Sequence, residues 1–90
     1  MDELNELVTM IVRALVDDPE RVAVNKVEGE RSVIFEVRVV PDDLGKVIGK
    51  GGRIANALRT LIRAAGTKDR KSIWIDINKL GEGGAEAADE

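Results

Sequence analysis

The chain has no cysteine, no histidine and no tyrosine, and only one phenylalanine and one tryptophan. Without cysteine there is no disulfide framework and no thiolate metal site, a composition that suits a reducing compartment. Without histidine, the usual general base and the commonest metal ligand are both missing. Ser32 and Ser72 are the only serines, so no nucleophile–base pair can be assembled and no enzyme is expected. No apolar run approaches the length of a membrane span, and the acidic N-terminus is unlike a signal peptide. The expectation is a soluble cytoplasmic domain with no cofactor and no metal.

What is present is aliphatic and charged. Ninety residues make one domain, near the lower limit for a self-sufficient core, so association with a partner would reinforce it. The formal charge of −3 conceals a segregation of sign along the chain. Residues 1–43 hold five basic and eleven acidic side chains. Residues 44–71 hold eight basic side chains against Asp69 alone, and residues 72–90 hold Lys79 against five acids. A third of an acidic protein is thus a local cation, and such asymmetry points to an anionic partner met at one face.

Leu4, Leu7, Val8, Ile11, Val12 and Leu15 fall at helical spacing, with acids in the first turn, and predict a helix of about 14 residues ended by Asp17-Asp18-Pro19. Val22 and Val24 alternate in a short strand over 21–27. Glu28-Gly29-Glu30-Arg31 reads as a turn, and Val33, Phe35, Val37 and Val39 give a second strand with one buried face. Pro41 closes that strand, and Asp42 or Asp43 can cap a short helix running through Val47. After a glycine loop, Ile54, Leu58, Leu61, Ile62 and Ala65 form the stripe of another helix, with Gly66 placed as its C′ residue. Ser72 to Ile77 is a third strand with Ile73, Ile75 and Ile77 on one face and Trp74 on the other. From residue 80 onward the Gly, Ala and acid-rich tail cannot bury a core and should be disordered. The order is α-β-β-α-α-β. A right-handed crossover makes the second and third strands parallel and leaves helices on one face of a three-stranded mixed sheet. On the other face Trp74 and Ile34 would form an apolar patch, which the N-terminal segment or the tail is expected to cover.

The loop is Val47-Ile48-Gly49-Lys50-Gly51-Gly52-Arg53-Ile54. Glycines admit tight turns and close backbone approach, and the helix that follows points unpaired amides and its positive dipole end at the same spot. A phosphate would be well held there. A nucleotide P-loop is excluded because only three residues separate Gly45 from Gly49-Lys50 and no hydroxyl follows the lysine. A dinucleotide fingerprint is excluded because Ile54 stands where its third glycine should be, after a helix rather than a strand.

What remains is Gly49-x-x-Gly52 between two helices, and here residues 47–54 resemble the signature of the KH domain. The element order is similar to its type II form. Length, the N-terminal helix and the Pro41-Asp42-Asp43-Leu44-Gly45-Lys46 approach resemble the small bacterial KhpA family of single KH-domain RNA-binding proteins, over residues 1–79, leaving 80–90 as an acidic tail. The resemblance implies an α+β type II KH fold whose loop grips the backbone of about four single-stranded nucleotides. It implies Gly49 and Gly52 as brackets, Lys50 as a phosphate contact, and the Gly51 and Gly52 amides as the rest of an anion seat. Bases would lie on an apolar floor of Val47, Ile48, Ile54 and Leu58, with Val37, Val39 and the loop 67–71 as the far wall. Lys68, Arg70 and Lys71 would touch the RNA backbone, and Lys46, Arg53 and Arg59 are further contacts. It also implies an RNA chaperone or post-transcriptional regulator linked to cell elongation and division. Such a protein would act as a homodimer or with a second KH-containing protein of the Jag/KhpB type. The alternative is a protein-interaction module with vestigial RNA binding, its dimer surface being either the Trp74 face or the loop helix through Ala55 and Ala57.

Overall fold

The first helix, α1 (Asp2–Leu15), buries Val8 and Val12 completely and carries Leu4 and Ile11 partly covered against the same core. These positions recur at the 3.6-residue period, so one stripe of the helix is apolar and the rest meets water. The architecture is a computed structural model that describes residues 2–80, with Asp2 described for its backbone only. The expected acidic tail lies outside the described residues, apart from Leu80.

Strands β1 (Ala23–Glu28) and β2 (Ser32–Val39) form the antiparallel hairpin, and β2 pairs in parallel with β3 (Ser72–Lys79), giving the sheet order β1-β2-β3. The period-2 pattern places Val33, Phe35, Val37 and Val39 at 0% exposure, while Ile73 and Ile75 continue that face on β3. Two helices stand in the β2–β3 crossover: short α2 (Leu44–Ile48) and long α3 (Arg53–Gly66). All three helices cover the same face of the sheet, as the α+β reading required.

Several local expectations are corrected. Asp43 does not cap α2 with its side chain. It is 2% exposed and accepts hydrogen bonds from the Asp17 and Asp18 N–H groups at 3.2 and 3.0 Å, tying the end of α1 to the start of α2. The buried stripe of α3 is Ala55, Leu58, Ile62 and Gly66, so Leu58 and Ile62 stand as expected while Ile54, Leu61 and Ala65 do not. Leu61 is 62% exposed, because at about 100° per residue it lies a quarter-turn or more away from that stripe. Leu7 on α1 is likewise exposed. Gly66 is not a left-handed C′ residue: its φ is −76°, still helical, and the left-handed position after the following turn is Arg70 at φ 60°. Glycine is needed at 66 for space, since a Cβ there would stand 2.4 Å from Ile73 Cγ1. Trp74 is not covered by the N-terminal segment, which packs on the other face, and it remains 55% exposed.

Candidate nucleic-acid interface

The loop between α2 and α3 is built on three positions, two of them adjacent, in a backbone conformation that residues with side chains rarely adopt. Gly49 (φ 79°, ψ 169°), Gly51 (φ 62°) and Gly52 (φ 82°) all have positive φ. Gly49 is constrained twice over, because a Cβ there would meet Ile54 Cγ1 at 2.7 Å and Ile54 N at 2.9 Å. Gly51, by contrast, has open space where a side chain would project. Val47, fully buried, anchors the loop to the core from beneath.

The backbone of the loop is partly committed. The Gly49 N–H donates to Gly45 O at 2.9 Å, the Gly52 N–H donates to Gly49 O at 3.0 Å, and the Arg53 N–H donates to Lys50 O. Gly52 therefore has no amide to give an anion, contrary to expectation. The Lys50 and Gly51 N–H groups open the short turn Lys50–Gly52, ahead of its own hydrogen-bond ladder. Lys50 and Arg53 are exposed and make no ion pair among the described residues, so their full charge is presented at the loop. Neighbouring N–H groups with two cations, at the positive end of a 14-residue helix, are chemically suited to one singly or doubly charged oxyanion.

The other expected residues distribute unevenly. Lys46 turns away toward Asp17 (3.4 Å) and Asp43 (3.8 Å). Lys71 is held by Glu28 Oε2 at 2.6 Å and by Gly29 O at 3.3 Å, and this lysine draws the Glu28 carboxyl below its ordinary value. Lys68 and Arg70 are exposed but stand at the far end of α3, which at 1.5 Å per residue is about 20 Å from the loop. Val47 and Leu58 are too buried to touch a nucleotide, which leaves the half-buried Ile48 and Ile54 as the apolar surface beside the loop. Val37 and Val39 are at 0% exposure and cannot form a wall.

The strand that flanks α3 is β3. Ser72 and Leu80 donate their N–H groups to Arg31 and Val39, so the even-numbered residues of β3 bond to β2 and the odd-numbered ones face the free edge. Arg59 covers that edge, its Nε donating to Ile75 O at 3.4 Å and its Nη1 to Asn56 Oδ1 at 3.3 Å. One turn on, the Arg63 guanidinium lies over the Trp74 ring, 6.0 Å from its centroid. Sequence reasoning named Trp74 only as a candidate dimer surface and did not foresee its contact with Arg63. The available signal was the four-residue spacing of Arg59 and Arg63, which puts both on one flank of α3.

Among the described residues no group of acidic side chains could hold a metal ion, and no helix is long and apolar enough to cross a membrane. A family model described as the KH domain of KhpA/KhpB matches residues 5–77. The chain is 51% identical to the RNA-binding protein KhpA of Caldanaerobacter subterraneus subsp. tengcongensis over 74 residues, 82% of this chain and 99% of that protein. It is 53% identical to the RNA-binding protein KhpA of Clostridium perfringens over the same shares. Its identity to the RNA-binding protein KhpA of Aquifex aeolicus is 47% over 77 residues, 86% of this chain and 98% of that protein.

Proposed function

The chain belongs to the KhpA/KhpB KH-domain family, and we propose that it is a non-catalytic RNA-binding protein that holds the backbone of single-stranded RNA at Gly49–Gly52. The observation that carries this reading is the pair of exposed cations, Lys50 and Arg53, which make no ion pair among the described residues, beside the leading Lys50 and Gly51 N–H groups of the loop's short turn. Its relatives, named as RNA-binding proteins, support the same ligand class. The half-buried Ile48 and Ile54 offer a base a shallow aliphatic surface. One such site binds weakly, and a second module raises avidity through effective concentration. On the resemblance to its family, the protein acts in the cytoplasm as a homodimer or beside a second KH-containing protein of the Jag/KhpB type, as an RNA chaperone or post-transcriptional regulator linked to cell elongation and division.

The test is a Lys50→Asp/Gly51→Asp double variant. Position 51 has open space for the new side chain, and Asp tolerates left-handed backbone better than most residues, so the fold should survive. Binding of a fluorescent single-stranded RNA is followed by anisotropy across a salt series. With about three phosphates neutralised, log K of the parent should fall with log salt at a slope of roughly −2, and the variant should lose most of its affinity at low salt. Equal binding by parent and variant would remove the loop from the site.

A protein-docking role has its own support in Met10 and Leu61, which are 65% and 62% exposed on α1 and α3. Ala55, only 3% exposed, cannot line such a surface. A Leu61→Asp variant that binds RNA like the parent but changes mass in solution would favour docking through that surface.

A further inference from the structure

The open face of the sheet carries one apolar row across all three strands: Val27 opposite Ile34, and Ile34 opposite Trp74. Val27 is 45% exposed and Trp74 55%. The next row, Asn25, Glu36 and Asp76, is polar, and its two acids are bridged by Arg38 at 4.0 and 3.5 Å. Arg63 belongs to α3 on the opposite face, so its side chain must pass round the free edge of β3 to reach the indole. The edge is thereby crossed twice, by Arg59 onto Ile75 O and by Arg63 over Trp74.

We propose that Trp74 is a stacking platform for one base of the bound strand, with Arg63 as its cationic partner. This inference rests on the RNA-binding reading and extends it beyond the glycine loop. An indole accepts any base on its π-face, and a guanidinium both stacks on a base and attracts the phosphate beside it. Charge selects nucleic acid over protein as the occupant. Arg53, Arg59 and Arg63 line α3 over about 15 Å from the loop to the tryptophan, with no acid on the helix between them. The apolar row itself is three side chains wide, far short of the roughly 800 Å² per partner that a stable protein interface buries. A base stacked on Trp74 covers the end of that row beside Arg63. The strand then runs from phosphate capture at Lys50, along the edge bridged by Arg59, to a base on Trp74. The preference is for stacking strength, purine over pyrimidine, without reading of base edges.

Trp74 is the only tryptophan in the chain, so intrinsic fluorescence reports on it alone. The full chain is titrated with twelve-nucleotide oligoadenylate and oligouridylate, and anisotropy of labelled RNA and tryptophan emission are read in parallel. Emission should be quenched with the same midpoint as the anisotropy change, more strongly by oligoadenylate. Trp74→Leu should weaken binding of oligoadenylate by roughly 5- to 100-fold, and Trp74→Phe should recover much of it. Unchanged emission at RNA saturation overturns the proposal, as does quenching without loss of affinity in Trp74→Leu. Parent-like RNA affinity with altered mass in Trp74→Leu would instead make the row a protein contact and also overturn it. Failure of the parent to bind either oligonucleotide by anisotropy is a separate result, which defeats the RNA-binding reading itself.

Discussion

Replacing Gly66 by alanine sets two rules of opposite sign against each other. Gly66 has helical φ and ψ of −76° and −13° at the end of α3, and in a helix alanine is ordinarily better than glycine by up to about 1 kcal/mol. The surroundings reverse the sign. A Cβ at 66 would stand 2.4 Å from Ile73 Cγ1 and 2.8 Å from its Cδ1, against an ordinary carbon contact of about 3.5–4.0 Å. Ile73 is 3% exposed and lies in register with Val33, which is fully buried, so neither has free volume to retreat into. Opening more than an ångström between α3 and β3 falls in the overpacking range of about 1–3 kcal/mol, and the helix gain offsets only part of it. The net expectation is a loss of about 1–2 kcal/mol, which for a domain of this size lowers Tm by about 4–15 °C. Gly45→Ala serves as the control. It is also helical, with nothing within 4 Å of its new methyl, and should raise stability by up to about 1 kcal/mol. In a double-mutant cycle, Ile73→Ala costs about 2–5 kcal/mol alone, but combined with Gly66→Ala the loss should fall short of the sum by about 1–3 kcal/mol. Thermal unfolding by circular dichroism measures all four proteins. A Gly66→Ala protein that melts higher than the parent, or a cycle that is additive, would refute the claim that α3 and β3 are in contact at this glycine.

Asp43→Ala strands two N–H groups at the end of α1 and should cost about 2–4 kcal/mol by urea denaturation, whereas Lys46→Ala, removing a partly exposed ion pair, should cost under about 1 kcal/mol. Because Lys46 is turned toward Asp17 and Asp43, that same variant should bind RNA within about twofold of the parent, read by anisotropy. The Lys71 hydrogen bond and charge, with a smaller contribution from Lys26, hold the folded Glu28 carboxyl below its ordinary value of 4.5. A depressed folded pKa gives stability that is present above 4.5 and lost as pH falls through the folded value. The stability gap between parent and Glu28→Gln should therefore exist at pH 7 and close toward pH 3 in parallel melts. Gly49→Ala should disrupt the loop through contact with Ile54 and positive φ, costing at least about 1 kcal/mol and weakening RNA binding, while Gly51→Ala should fold with a smaller loss.

The element order and the hairpin were readable from periodicity, because large aliphatic residues mark strand faces without ambiguity, and the parallel β2–β3 pair followed from the handedness of the crossover between them. Val33, Phe35, Val37 and Val39 could face only the core. The face of α3 was read only in part, with Leu58 and Ile62 right and the rest wrong, for the converse reason. Its contact with the sheet is made partly by the smallest residues, Ala55 and Gly66, which let the helix approach closely, and hydrophobic spacing does not register a residue chosen for its lack of volume. Counting Ile54, Leu61 and Ala65 instead rotated the stripe by about a sixth of a turn. The loop was recognisable because three left-handed positions demand glycine at a fixed spacing. The partners of individual cations were not recognisable, since Lys46–Asp17 and Lys71–Glu28 join residues far apart in the chain.

That rotation decides what kind of surface the basic segment makes. With Ala55, Leu58, Ile62 and Gly66 turned inward, Arg59 and Arg63 fall on the flank beside the free edge of β3, and Leu61 and Ile54 on the opposite one. Had the larger stripe been buried, Arg59 would have moved round toward water and lost its reach to Ile75 O. Of the eight basic residues between 44 and 71, Lys46 and Lys71 are spent on carboxylates, and Arg59 and Arg63 are drawn onto the edge of β3. Lys50 and Arg53 remain at the loop, with Lys68 and Arg70 about 20 Å away across the length of α3. Arg59 and Arg63 are the only cations on the helix between those two ends. The basic segment is thus a line of charge with its strongest point at the glycines, and a flexible polyanion suits a line better than a compact phosphate ligand does.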